Sequence, residues 1–176
     1  MTLDLPTPAA PLKIGTRGSP LALAQAHETR DRLAAAFDLG QDAIEIVVIK
    51  TTGDRVLDRP LKEIGGKGLF TREIDEDMLA GKIDIAVHSM KDMPTLQPKG
   101  LLLDTYLPRE DVRDAFVSPR ASGLDALAAG TVVGTSSLRR RAQLQRRRPD
   151  LQVVEFRGNL QTRLKKLEDG VAEATF

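Results

Sequence analysis

The stretch Ile83-Asp84-Ile85-Ala86-Val87-His88-Ser89-Met90-Lys91-Asp92-Met93-Pro94 decides how this chain is read. Its first five residues make a short apolar run of the kind that forms a buried strand, and polar groups begin where that run stops. In open α/β folds the carboxyl ends of strands face the place where ligands bind. Taken alone, Lys91-Asp92 reads equally well as a solvated turn before Pro94. Its position after a strand favours function, because reactive groups sit on loops carried by a rigid sheet. A carboxylate there stabilises developing positive charge or moves a proton.

Upstream, Leu12 to Thr16 reads as a first strand and Arg17-Gly18 as a tight turn. Ser19-Pro20 then gives a helix start, with a capping hydroxyl and a first-turn proline. Leu21, Ala24, Leu33 and Phe37 supply an apolar face, and Gly40 lies beyond the helix end. Ile44 to Lys50 is a second, β-branched strand. Thr51 to Gly68 is a long polar segment, and its part from Arg55 to Gly66 reads as a mobile cover. The run Gly65-Gly66-Lys67-Gly68 lacks P-loop spacing. A helix from about Phe70 to Ala80, stopped by Gly81, leads into the strand that ends at His88. The order β-α-β-α-β predicts a mostly parallel sheet with helices on both faces.

Downstream, the pattern changes near Leu101 to Leu107, and Pro108 to Asp111 reads as a hinge or crossover. Strands are predicted at Ala115 to Ser118, Thr131 to Gly134 and Gln152 to Phe156. Helices are predicted at Leu124 to Ala129, from Ser136 or Ser137 to before Pro149, and at Leu160 to Glu168, with Gly170 as the last stop. Ala172 to Phe176 begins a strand with no successor, so the second unit reads as truncated, with an open sheet edge that favours association. No internal repeat is evident. The expected organisation is a disordered tail over 1–11, an α/β domain over 12–105 and an incomplete α/β domain over 106–176.

Charge narrows the function classes. The chain carries a net +1, but Thr131 to Gly170 holds ten cations against four anions, so the remainder sums to −5. A local basic patch of this sort suits an anionic ligand. There is no cysteine, hence no disulfide, thiol nucleophile or thiolate metal site. His27 and His88 lie far apart in sequence, and no metal site is expected. Met1 to Pro11 lacks the features of a signal peptide, and no apolar run is long enough to span a bilayer. A cytoplasmic protein without membrane contact is the default expectation.

The second motif is Gly134-Thr135-Ser136-Ser137-Leu138-Arg139-Arg140-Arg141. Its hydroxyls cap a helix, and the same helix start can hold a carboxylate or phosphate. Arg139, Arg140 and Arg141 oppose the helix dipole there, a local conflict that marks function. Arg146, Arg147 and Arg148 read as a solvated face. Arg157-Gly158-Asn159 at a strand-to-helix turn, with Arg163 one turn later, adds cations on the ligand side, although Arg163 alone reads equally as a surface residue. A nucleic-acid patch is disfavoured, since Tyr106 and five phenylalanines are the only aromatics and no stacking platform is evident.

Six of these stretches carry a closer likeness: Thr16 to Leu23, Gly65 to Phe70, Asp84 to Asp92, Arg109 to Phe116, Gly134 to Arg140 and Arg157-Gly158-Asn159. In order and content the chain resembles the hydroxymethylbilane synthase (porphobilinogen deaminase) family. The resemblance implies an α/β fold whose first two domains form a two-lobed architecture like that of periplasmic binding proteins. It also implies a transferase of tetrapyrrole (heme) biosynthesis that joins four porphobilinogen units head to tail, releasing ammonia, to give hydroxymethylbilane. Growth occurs on a dipyrromethane cofactor thioether-linked to a cysteine of a third domain.

By resemblance, Asp92 is the catalytic aspartate and Lys91 lies beside cofactor carboxylates. Arg17, Arg139, Arg140, Arg157 and Arg163 hold carboxylates of cofactor and substrate, helped by Ser19, Ser136 and Ser137. Porphobilinogen and polypyrrole intermediates are the implied partners, and the family is usually monomeric. The third domain, its cysteine and parts of the first two are missing from these residues, which predicts a fragment inactive alone and prone to self-association. The alternative function is a non-catalytic anion-binding module of the periplasmic-binding-protein type.

Overall fold

The computed structural model describes residues 4–55 and 68–176, and the cover expected between Arg55 and Gly66 lies almost wholly outside them. The chain forms two compact units, Met1–Leu107 and Pro108–Phe176.

In the first unit, β1 (Leu12–Thr16) is the central strand of a parallel three-stranded sheet, between β2 (Ile44–Val48) and β3 (Ile85–Ala86). Alternation along the strands serves two faces. Ile14, Ile44, Ile46 and Ile85 pack toward helix α1 (Pro20–Phe37). Val47, Ile49 and Ala86 pack with Ile74, Met78 and Ile83 around helix α3 (Arg72–Leu79). The one-turn helix α2 (Thr52–Arg55) follows the second strand.

Helix α1 starts as its sequence dictates, with Ser19 Oγ accepting from the Ala22 amide at 3.3 Å and Pro20 in the first turn. Its buried face differs from the expected one. Ala26 and Ala34 are buried and Leu33 packs beside them, whereas Leu21 and Phe37 are about half exposed and Ala24 is exposed. Small residues let the helix lie close to the sheet, and that close approach sets which stripe is buried. The helix ends before Gly40, as expected. Asp38 takes the left-handed conformation (φ 53°), and its amide donates to the Ala34 carbonyl.

The second unit repeats this plan, which the sequence did not disclose. The central β4 (Val132–Gly134) lies between β5 (Gln152–Val154) and β6 (Ala174–Thr175), all parallel. Helix α4 (Leu138–Arg147) covers one face through Leu144, beside Leu127, Val133, Leu151 and Ala174. Helix α5 (Leu160–Glu168) covers the other through Leu167, beside Phe156 and Ala172. Both units are β-α-β-α-β with the first strand in the middle, and both central strands end in an apolar-Gly-Thr triplet, Ile14-Gly15-Thr16 and Val133-Gly134-Thr135.

Three other expectations change. Ala115 to Ser118 is not a ladder strand; only Val117 pairs, antiparallel, with Thr175 through two 2.9 Å hydrogen bonds. That bridge lies on the strand expected to leave an open edge, so β6 is bonded to β4 and also to Val117. Leu124 to Ala129 shrinks to one 3₁₀ turn, Leu124–Ala126. In place of a wholly frayed tail, Thr7 and Ala10 close a turn around Pro8 with bonds of 3.1 and 2.9 Å.

Gly134 shows how tightly the second sheet is covered. A Cβ added there would lie 2.4 Å from the buried Phe156 ring, whereas Gly123 is extended (φ −177°) and faces open space. Gly134→Ala should therefore cost about 1–3 kcal/mol by overpacking, and Gly123→Ala close to nothing. Denaturant unfolding of the two variants measures both; equal midpoints would contradict this packing.

Candidate functional site

The first cluster is assembled at the carboxyl ends of the first sheet. Arg17 follows β1, Asp54 is in α2, and Asp92 closes the 3₁₀ turn Met90–Asp92 after β3. Arg17 lies between the two carboxylates. Its Nε and NH2 donate to Asp54, the NH2 bond to Oδ1 being 2.5 Å, and its NH1 donates to Asp92 Oδ2 at 3.2 Å. Below the guanidinium is the Phe70 ring, 4.0 Å from the Arg17 carbon to the centroid. Phe70 fits because residue 53 is glycine: a Cβ there would lie 2.2 Å from the ring. Sequence reading expected Arg17 and Asp92 and missed Asp54 and Phe70, although Phe70 ends one of the quoted stretches.

The electrostatics follow from this packing. Burial pushes the Asp54 carboxyl up, but Arg17 and Thr51 donate to it and the balance is a lowered value. Burial lowers His88, against the pull of the Asp92 charge, and its Nε2 is buried without a hydrogen-bond partner among the described residues. Ser89, which begins the turn, donates from Oγ to Gln25 Oε1 at 2.8 Å, tying the turn to α1. Ser19 spends its hydroxyl on the helix cap. Lys91 is exposed on the same turn as Asp92.

The second cluster surrounds the start of α4. Ser137 is the cap, its Oγ accepting from the Arg140 amide, while Ser136 Oγ accepts from the Phe156 amide at 3.0 Å. Asp114 then explains the arginines that oppose the helix dipole. Its Oδ2 accepts from Arg139 NH1 at 2.9 Å, and its Oδ1 from Arg139 NH2 at 3.2 Å and Arg140 NH2 at 2.8 Å. The two guanidiniums, Arg140 first, hold the Asp114 carboxyl far below the usual carboxylate range. Sequence reading missed Asp114, which lies within the quoted stretch Arg109 to Phe116.

Arg140 and Arg163 converge on one acceptor, the backbone oxygen of Phe176, at 3.2 and 2.7 Å. Burial, with the nearby Arg140 charge, lowers the Arg163 pKa from its ordinary value. Arg163 is thus half-buried and shares its acceptor with Arg140. The Nε atoms of both are buried and unpartnered among the described residues. Arg157 is half-buried, and its carbonyl accepts from Lys166 Nζ at 2.8 Å. Arg148, read as part of a solvated face, is instead a structural pin, donating to the Leu124 and Leu127 carbonyls at 2.8 Å and to Asp150.

The pH dependence of stability has a definite sign here. The folded-state values of His88 and Asp54 are both lowered, so each favours the folded state above its unfolded value and loses that contribution as pH falls. The loss should begin below about 6.5 for His88 and below about 3.8 for Asp54. Urea unfolding between pH 7 and 5 should show declining stability in the native protein and a flatter profile in His88→Gln. Identical slopes would exclude His88.

Groups of three or more potential metal-binding side chains do not occur among the described residues, and no described helix is long and apolar enough to cross a membrane. In the first unit one arginine is shared by two carboxylates, and in the second two arginines share one aspartate. Residues 12–176 match the family described as porphobilinogen deaminase, dipyromethane cofactor binding domain. Porphobilinogen deaminase of Paracoccus denitrificans is 75% identical over 173 residues, covering 98% of this chain and 55% of that protein. The chloroplastic porphobilinogen deaminase of Oryza sativa is 63% identical over 166 residues, covering 93% and 46%. That of Nitrobacter hamburgensis is 60% identical over 162 residues, covering 92% and 51%. The chain spans about half the length of these relatives. The family match over residues 12–176, together with 75% identity across 98% of the chain, places the chain in the porphobilinogen deaminase family.

Proposed function

We propose that this chain is the cofactor-holding and catalytic portion of a hydroxymethylbilane synthase. Such an enzyme joins four porphobilinogen units head to tail, releases ammonia at each addition and makes the linear tetrapyrrole hydroxymethylbilane. The observation that carries the reading is the Arg17–Asp92 pair, 3.2 Å apart at the end of a buried sheet. The two repeated α/β units also suit the two-lobed architecture of periplasmic binding proteins.

Each porphobilinogen carries an acetate and a propionate, so a growing chain accumulates carboxylates. Arginine meets them with a planar fork that stays charged at any working pH. The residues present fit a dipyrromethane group: the buried, unpartnered Nε–H groups of Arg140 and Arg163 are donors that an anionic group would satisfy. Arg17, Arg139, Arg140, Arg157 and Arg163 would hold its carboxylates, with Lys91 adding charge and Ser19, Ser136 and Ser137 lining the cap regions. When bound, the group supplies the pyrrole end to which each new unit is joined. These 176 residues contain no cysteine, so a thioether to it has to come from outside them.

Asp92 supplies the acid-base element. Its carboxylate is held by one Arg17 nitrogen and remains about one-fifth exposed, so it is both oriented and reachable. A fixed negative charge lowers the cost of positive charge that develops as ammonia leaves, and a carboxylate can accept a pyrrole N–H. Arg17, itself gripped by Asp54 and stacked on Phe70, fixes where that charge lies.

The test is a chimera joining residues 1–176 to the remaining half of the Paracoccus protein. It should convert porphobilinogen to a product that develops colour with an aldehyde reagent. A chimera that binds carboxylates without consuming porphobilinogen would favour the anion-binding module. Asp92→Asn in the chimera removes charge with little change in volume. It should lower turnover by roughly 10²–10³-fold or more at an unchanged melting temperature. Retention of a tenth of the activity would exclude an essential carboxylate. Arg140→Leu removes a charged hydrogen-bonding partner worth about 1.5–3 kcal/mol, and should impair cofactor retention more than folding. Mass spectrometry of the purified variant reads the first and thermal melting the second.

A further inference from the structure

In both clusters, arginines assigned to ligand carboxylates already hold a carboxylate of the protein. Asp54 takes the Nε/NH2 side of Arg17, and Asp114 takes both terminal nitrogens of Arg139 together with NH2 of Arg140. The second case is the stronger, because one carboxylate takes both terminal nitrogens of Arg139 and also a terminal nitrogen of Arg140, while Gln143 Oε1 accepts from Arg139 NH1 at 3.1 Å. Asp114 is about a quarter exposed and Arg139 more than half. This pair therefore lies open to exchange with solutes and is not locked in a core.

We infer that Asp114 is an internal competitor for the carboxylate-binding arginines, a specificity-determining residue that makes the site select ligands carrying several carboxylates. The inference rests on the carboxylate-binding reading given above. An incoming carboxylate can engage the terminal NH1/NH2 edge of Arg139 only by displacing Asp114, which is tethered and so present at high effective concentration. A ligand with one carboxylate exchanges like for like and gains little. A ligand with several carboxylates replaces Asp114 on Arg139 and Arg140 and can also engage Arg163, for which no contact with Asp114 occurs among the described residues. Because its carboxyl is held far below the usual range, Asp114 competes at every working pH.

The experiment uses the 176-residue chain with acetate and benzene-1,3,5-tricarboxylate as probes, in calorimetric titrations at one fixed ionic strength. The native chain should bind the tricarboxylate far more tightly than acetate. Asp114→Asn should bind acetate about threefold to fivefold more tightly, the strength of an exposed ion pair, and the preference for the tricarboxylate should shrink. Unchanged or weaker acetate binding by Asp114→Asn, with tricarboxylate binding intact, would overturn the inference alone. Failure of both probes to bind either protein would instead overturn the carboxylate-binding reading on which it rests.

Carbon NMR of the native chain keeps the test independent of the variant's folding. The Asp114 side-chain carboxyl resonance should move when tricarboxylate is added and stay still with acetate at equal concentration. A resonance unmoved by saturating tricarboxylate would show that Asp114 is never displaced.

Discussion

A guanidinium brought out of bulk water has to meet an acceptor of matching shape, and in this protein the acceptor is repeatedly an aspartate. Arg17 is closed by Asp54 and Asp92, and Arg139 and Arg140 by Asp114. Exposed ion pairs contribute little to stability, so these pairs are poorly explained as glue. Their value is positional. A planar fork held by a carboxylate has a fixed orientation, so on the proposed reading a ligand carboxylate would meet a fork already aimed. The same pairs allow a basic patch to exist without self-repulsion, which explains how a strongly cationic segment fits in a nearly neutral chain.

Much of the scaffold was legible because local signals and tertiary packing agree. Leu12–Thr16 and Leu160–Glu168 have the bounds that their sequences predict, each flanked by a turn or cap that leaves little choice. The parallel order follows from alternating strands and helices. Errors arose where packing chose among local options. The buried face of Pro20–Phe37 was misassigned because Leu and Phe look like core residues, while the sheet accepts alanine at closest approach. Gly40 does lie beyond that helix, and the left-handed cap is Asp38, a conformation an aspartate can adopt.

The site was legible in its cations and illegible in its counter-charges. Runs such as Leu138-Arg139-Arg140-Arg141 stand out by themselves, and the conflict with the helix dipole flagged them. Asp54 and Asp114 lie in ordinary polar stretches and acquire meaning only when folding brings them to arginines 37 and 25 residues away. Arg148 shows the converse: it belongs to a conspicuous run of three arginines but is half-buried, donating to the Leu124 and Leu127 carbonyls. Charge density in a sequence marks where anions are welcome and says little about which cations are already committed.

The repeated apolar-Gly-Thr triplet joins these strands of reasoning. Thr16 is fully buried at the end of the central strand, and its hydroxyl lies 3.4 Å from the Val87 carbonyl at the end of the neighbouring strand. Arg17 and the turn carrying Asp92 are the next residues along those two strands, so this contact fixes the spacing of the pair that follows. In the second unit, the buried Thr175 donates at 2.7 Å to the Gly134 carbonyl, tying the last strand to the central one just before Thr135 and the arginine-bearing helix. In each unit a threonine hydroxyl locks two strand ends together, and charged groups are mounted immediately beyond the lock. Burial in the sheet thus supplies the rigidity, and the first residues past it carry charges that the core itself could not accommodate.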